Sequence, residues 1–241
     1  VAILAVLAVA AAAGLLYLGA RETSVFSVRQ IVVTSTSAEI ARAVRAALDP
    51  VVGRSLVELS ADDVKRRARS VPAVRAAEVD RDFPGTLRVS VKLERPLAVV
   101  RQGGDAWLVA ASSRVLRSAE VGELRDFPRV WLGSGGGEIV PGAFLGETYG
   151  ALAIRALAAV PDSFPGRVQS AGGSRDHLTI VVGSRTEVRL GEAADLRVKL
   201  EVAAEVLRSL SSAERDALAY LDVSLPTRPV GGAKPQFEGG A

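Results

Sequence analysis

The stretch AVRAAEVDRDFPGTLRVSVKLERPLA, Ala73 to Ala98, decides how the first part of this chain folds. Thr86 to Glu94 alternates cleanly, with Leu87, Val89, Val91 and Leu93 on one face and Arg88, Ser90, Lys92 and Glu94 on the other. That alternation predicts a half-buried antiparallel strand. Ala73 to Arg81 predicts its partner, and Phe83-Pro84-Gly85 carries the residues of a tight turn between them. Pro72 cannot continue a helix, so any helix before it ends there. Pro96 stops the second strand and hands the chain to a new unit.

Working upstream, Ser60-Ala-Asp-Asp63 has the form of a capping box, Ser at the N-cap and a carboxylate at N3, and predicts a helix through Arg69. Ser37 to Leu48 predicts another, since Ile40, Val44 and Leu48 form one i, i+4, i+8 stripe closed by Asp49-Pro50. Phe26 to Val33 (FSVRQIVV) is rich in β-branched residues and predicts a strand. The order is β-α-α-β-β, enough for a small domain by itself.

Downstream the pattern is richer in strands. Leu97–Arg101, Trp107–Ala111 and Arg114–Leu116 predict short strands, Phe127-Pro128 opens a loop, and Gly133 to Gly137 predicts a flexible tip. Glu147–Val160 and Ala194–Leu210 predict helices; the second carries Leu196, Leu200, Ala203, Leu207 and Leu210 on one face. Leu178–Val182 and Glu187–Leu190 flank Gly183-Ser184-Arg185, a hairpin signature. Ala219–Leu225 predicts the last strand, stopped by Pro226, and 228–241 predicts a disordered tail, because it holds Pro and Gly but little apolar bulk.

Val1 to Ala20 contains no charged residue and no proline. About 20 apolar residues at 1.5 Å rise cross the roughly 30 Å hydrocarbon layer, where only a helix satisfies its own backbone. Tyr17 fits an interfacial belt, and Arg21-Glu22 marks the exit into water. The uninterrupted length favours an uncleaved anchor over a signal peptide, whose apolar core is about 7–15 residues. There is no Met at position 1 or elsewhere, so the numbered start is not expected to be the translational one.

Composition excludes much chemistry. The 241 residues contain no Cys, which removes disulfides, thiolate metal sites and a cysteine nucleophile. A single His, His177, excludes sites needing two imidazoles. Thirty Lys+Arg against 27 Asp+Glu leaves a net charge of +3, too small to predict a nucleic-acid partner despite a pI of 9.6. Asp176-His177 with Ser174 or Ser184 could suggest a hydrolase, but no G-x-S-x-G elbow is present. Asp62 and Asp63 suit the positive end of a helix, and Gly133–Gly137 lacks the Gly-Lys-Ser/Thr of a phosphate loop. Lys65-Arg66-Arg67-x-Arg69 fits a solvated helix face, with anionic lipid a weaker alternative. No cofactor and no metal is expected.

An apolar anchor, β-α-α-β-β and then a strand-rich region resemble the bacterial cell-division family FtsQ/DivIB, whose first domain is a POTRA module. The residues that carry the likeness are Phe26-x-Val28-x-x-Ile31-x-Val33, Gly53-x-Ser55-Leu56 and Val71-Pro72-Ala73-Val74. Ala77-x-Val79-x-Arg81-x-Phe83-Pro84-x-Thr86-Leu87 and Val91-x-Leu93-Glu94-Arg95-Pro96-Leu97-Ala98 continue it. Arg189-Leu190-Gly191, Lys199-Leu200 and Leu221-Asp222-Val223-Ser224-x-Pro226 follow in order. The pattern departs at Ala73, where an aromatic is usual, and near Ala110 and Ser113, where Asp and Gly are usual.

The resemblance implies an α+β chain in four parts: a transmembrane helix (1–20), a POTRA-like domain (21–96), a β-rich mixed domain with two helices (97–227) and the tail (228–241). It implies a non-catalytic divisome scaffold at the septum of the bacterial cell membrane, N-terminus cytoplasmic and bulk extracytoplasmic. Its partners would be membrane lipid, FtsB/DivIC-like and FtsL-like proteins and, through them, the septal peptidoglycan synthases FtsW/FtsI. The partner strand would add to an open edge at Tyr220, Leu221, Asp222, Val223, Ser224 and Leu225, extending to Thr227 and Val230. The competing expectations are a membrane-anchored cell-wall hydrolase and a POTRA-bearing transport or chaperone protein.

Overall fold

The computed structural model describes residues 24–133, 137–146, 149–183 and 185–233. The chain divides into two units, Val1–Glu94 and Arg95–Ala241. Val1–Ala20, the expected membrane span, lies outside the described residues. Among the described residues no helix is long and apolar enough to cross a membrane.

In the first unit β1 (Gln30–Thr34), α1 (Ala38–Leu48), α2 (Ala61–Arg69), β2 (Val74–Asp82) and β3 (Thr86–Leu93) follow the expected order. The sheet order is β1-β3-β2, with β3 antiparallel to β2 and parallel to β1. The alternation in β3 explains its central place: Leu87 and Val89 are fully buried, and Val91 and Leu93 pack half-buried against the same core. Val44 and Leu48 of α1 and Val64 and Ala68 of α2 close that core from the helical side. Each large apolar side chain buried this way contributes about 1.5–3 kcal/mol. The Ser37 hydroxyl caps α1, accepting the Ile40 amide at 3.4 Å.

Two local expectations are corrected in this unit. The strand predicted at Phe26–Val33 starts only at Gln30, because Phe26 and Val28 pair with another segment instead. The Leu56 amide donates to Phe26 at 2.8 Å, and the Val28 amide donates to Arg54 at 2.9 Å. Ser60 is the N-cap of α2 but accepts no capping hydrogen bond, and Asp63 pairs with Arg66 one turn on. Gly85 allows a close approach at the turn, since a Cβ there would stand 3.1 Å from the Ser27 carbonyl oxygen.

The second unit is one nine-stranded sheet in the order β12-β11-β10-β9-β8-β7-β4-β5-β6. Its elements are β4 (Pro96–Gln102), β5 (Asp105–Ala110), β6 (Val115–Ser118), β7 (Arg129–Leu132) and α3 (Tyr149–Ala159). Then come β8 (Val168–Gly173), β9 (Leu178–Val182), β10 (Thr186–Gly191) and α4 (Leu196–Ser209). α5 (Ser212–Ala217), β11 (Leu218–Asp222) and β12 (Val230–Ala233) complete the unit. Ile154 and Leu157 of α3 and Leu200, Ala203 and Leu207 of α4 share one core with Ile180, Val188, Leu190, Leu221 and Val223. Because strand side chains alternate, Val99, Leu108 and Ala110 point to the opposite face, where Leu124 and Phe127 cover them.

The sequence reading misses β7, β8, β12 and α5. β7 has four residues, only Ala171 of β8 is fully buried, and α5 has six residues. None presents a period long enough to read. The disordered tail expected from Arg228 is corrected at Val230–Ala233, which pairs as a strand. Most of the Gly133–Gly137 tip lies outside the described residues.

Candidate functional site

β11 was expected to be the open border of the sheet, and it is not. It runs parallel to β10 on one side, with Glu187↔Tyr220, Val188↔Leu221 and Arg189↔Asp222, and antiparallel to β12 on the other. Both of its ladders are satisfied within the chain, and the border of the sheet on this side is β12, with β6 at the opposite end. The two prolines do not end the structure; they shape the return. The Asp222 carboxylate accepts the Ser224 amide at 2.9 Å and the Ser224 hydroxyl at 2.6 Å, and the Arg228 amide donates to Leu225 at 3.0 Å. The chain passes Pro226 and Pro229 and comes back along β11, with Asp222↔Val230, Leu221↔Gly231 and Tyr220↔Gly232.

This geometry sorts the expected partner-binding residues. Leu221 and Val223 are core residues, and the Val223 amide donates inward to Arg189 at 2.9 Å. Tyr220 is half-buried, with the Arg189 guanidinium 4.2 Å from its ring centroid. Leu225 is 66% exposed, Thr227 is exposed, and Val230 opens the border strand at 50% exposure. Burial pushes the Asp222 carboxyl up, but the Ser224 hydroxyl and amide and the Arg189 charge outweigh it and hold it below the usual carboxylate range.

Sequence reasoning missed Gly231, Gly232 and Ala233, which carry no apolar bulk to mark a strand. Gly232 leaves room for the Tyr220 ring: a Cβ there would lie 2.5 Å from its Cε1, so the ring would have to move. Beside β12 opens a cleft of about 430 Å³, lined by Val206, Leu210, Leu218, Leu221, Pro229 and Ala233 among others. Such a border offers backbone donors and acceptors along one line and an apolar recess next to it.

The residues weighed for catalysis are placed differently. His177 and Asp176 are exposed at the β8–β9 turn, where the His177 amide donates to the Ser174 carbonyl at 3.4 Å. Ser184 lies outside the described residues.

A family model described as POTRA domain, FtsQ-type, matches residues 26–94, which contain the whole first sheet and both of its helices. A second, described as cell division protein FtsQ/DivIB, C-terminal, matches residues 98–224 and ends just before the return to β12. No curated protein matches the chain. With the two models matched in order along the two structural units, the second over more than half of the chain, this protein belongs to the FtsQ/DivIB family of cell-division proteins.

Proposed function

We propose that this chain is a non-catalytic divisome scaffold, anchored in the cell membrane by Val1–Ala20 with the two units outside, that receives a partner strand on β12. The observation that carries this reading is the position of Val230–Ala233 at the end of the nine-stranded order. A border strand has one row of N–H and C=O groups facing away from its own sheet, and an added strand satisfies them. The partners that suit the site are the small bitopic FtsB/DivIC-like and FtsL-like proteins, and through them FtsW/FtsI at the septum. Anchoring both proteins in one membrane raises their effective concentration, so a short ladder suffices to bind.

A clean test avoids Val223, whose amide is used inside the sheet. Consecutive residues of an antiparallel strand direct their N–H groups alternately inward and outward. Of Val230→Pro and Gly231→Pro, therefore, one removes an outward donor and leaves the β11 ladder intact. That variant is expected to lose capture of an FtsB/DivIC-like partner while melting within a few degrees of wild type. Hydrogen exchange should also slow at β12 amides when the partner is added. Wild-type capture by both proline variants refutes the strand-addition reading.

A further inference from the structure

Three separated segments of the first unit meet at one end of its sheet. β1 runs parallel to β3 from Gln30↔Thr86, so the chain enters β1 beside the β2–β3 turn. The Arg29 and Gln30 amides donate to the Gly85 carbonyl at 2.8 and 3.1 Å, and the Phe26 and Phe83 rings meet edge to face with centroids 5.8 Å apart. The third segment follows α1, where the Gly53 amide donates to the Val28 carbonyl at 2.9 Å.

On these segments Phe83 is 53% exposed, Val52 52% and Val25 49%. Among the described residues of this unit they are the exposed large hydrophobic side chains, and all three lie at this end. None belongs to the core, which closes without them. Exposed apolar side chains gathered in one place mark a contact surface.

The neighbouring sequence says what covers them. Five positions separate Val25 from Ala20, the last residue of the charge-free stretch. At no more than about 3.6 Å per residue, Val25 lies within roughly 18 Å of the end of that stretch. Arg29 and Arg54, both exposed, border the patch, and the nearby Asp82 carboxylate is paired with Arg88 at 2.7 Å. Cations beside an aromatic and two aliphatic side chains match the boundary between anionic head groups and acyl chains.

We propose that this end of the first unit, with Phe83, Val52 and Val25 at its tip, seats in the interfacial layer of the bilayer. The inference rests on the membrane-anchor reading above and adds a lipid-docking surface on the folded domain. The domain then stands on the membrane in a fixed orientation instead of swinging from its tether.

The absence of cysteine permits single-site labelling without background. Val25→Cys, Val52→Cys and Phe83→Cys, each with a nitroxide, are compared in the full chain reconstituted in phosphatidylethanolamine/phosphatidylglycerol vesicles. Thr36→Cys, exposed just past the far end of β1, is the reference. Labels at 25, 52 and 83 are expected to collide more with oxygen than with a water-soluble nickel chelate. Their depth should fall within the roughly 5–10 Å reached by interfacial apolar faces, while the label at 36 reports water. Equal nickel access at all four positions overturns the proposal. If the chain still floats with the vesicles in that case, the anchor reading stands and only the docking fails; a chain that does not float overturns both. Dipolar broadening at position 83 that vanishes on dilution with unlabelled chain places a second copy on the patch and also overturns the proposal. Should Phe83→Cys disturb the turn, the labels at 25 and 52 decide.

Discussion

Replacing Gly232 by Ala tests how the border strand is held. Gly232 lies in extended backbone without positive φ, so alanine is conformationally allowed there. In an open strand the change stabilises by about 0.5–1 kcal/mol, because glycine loses more backbone freedom on folding. Here the new Cβ would fall 2.5 Å from Cε1 and 2.7 Å from Cζ and Oη of Tyr220. The ring must swing away, giving up its contact with the Arg189 guanidinium 4.2 Å from the centroid, or β12 must peel back. Overpacking of this kind costs about 1–3 kcal/mol, which exceeds the entropic gain and leaves a net loss of roughly 0.5–2 kcal/mol. Since a free energy of about 1.4 kcal/mol is tenfold in an equilibrium, β12 amides should exchange about 2- to 30-fold faster while those of β9 and β10 are unchanged. In a Tyr220→Ala background the obstacle is gone and the sign should invert, with Gly232→Ala slowing exchange in β12. Slower exchange in the wild-type background, or the same loss with and without Tyr220, would refute the close-packing argument.

Leu87 is fully buried in the middle strand of the first sheet, so Leu87→Ala should destabilise that unit by about 2–5 kcal/mol, measured by urea unfolding followed by far-UV circular dichroism. Asp222 has its pKa held down in the folded chain, so its stabilising contribution is present above the unfolded value of about 3.9 and is lost as pH falls through the lower folded one. The stability gap between wild type and Asp222→Ala, from denaturant midpoints across pH, should therefore be constant above pH 5 and narrow below about pH 4. A gap that widens in acid contradicts the assignment.

The first unit was legible because its signals agree. Leu87 and Val89 alternate, Val44 and Leu48 repeat at helical spacing, Pro72 and Pro84 fall between elements, and Pro96 opens the next strand. The second unit was less so because its strands are short and its register is set by distant partners. Arg129–Leu132 is a strand because β4 and β8 flank it, and nothing local requires that. The border was misplaced for a related reason. Pro226 and Pro229 signal a stop when read alone, yet the Asp222–Ser224 hydrogen bonds turn them into a hairpin connection. Val230-Gly-Gly-Ala is a strand by pairing, with hardly any side chain of its own to declare it.

That poverty of side chains bears on specificity. A border with two adjacent glycines and four residues in all presents little that is chemically distinctive along its length. It also limits unwanted association, since a short edge makes a poor template for aggregation. On the strand-addition reading, the ladder then supplies affinity common to any extended peptide, and discrimination must come from elsewhere. The apolar cleft next to β12 is the place for it, because Val206 and Leu210 reach it from the α4 side and Leu218 and Leu221 form its sheet side. Enlarging the recess by Val206→Ala should alter which partner side chains are preferred while leaving the ladder intact. Exchanging the glycines should act on every partner alike.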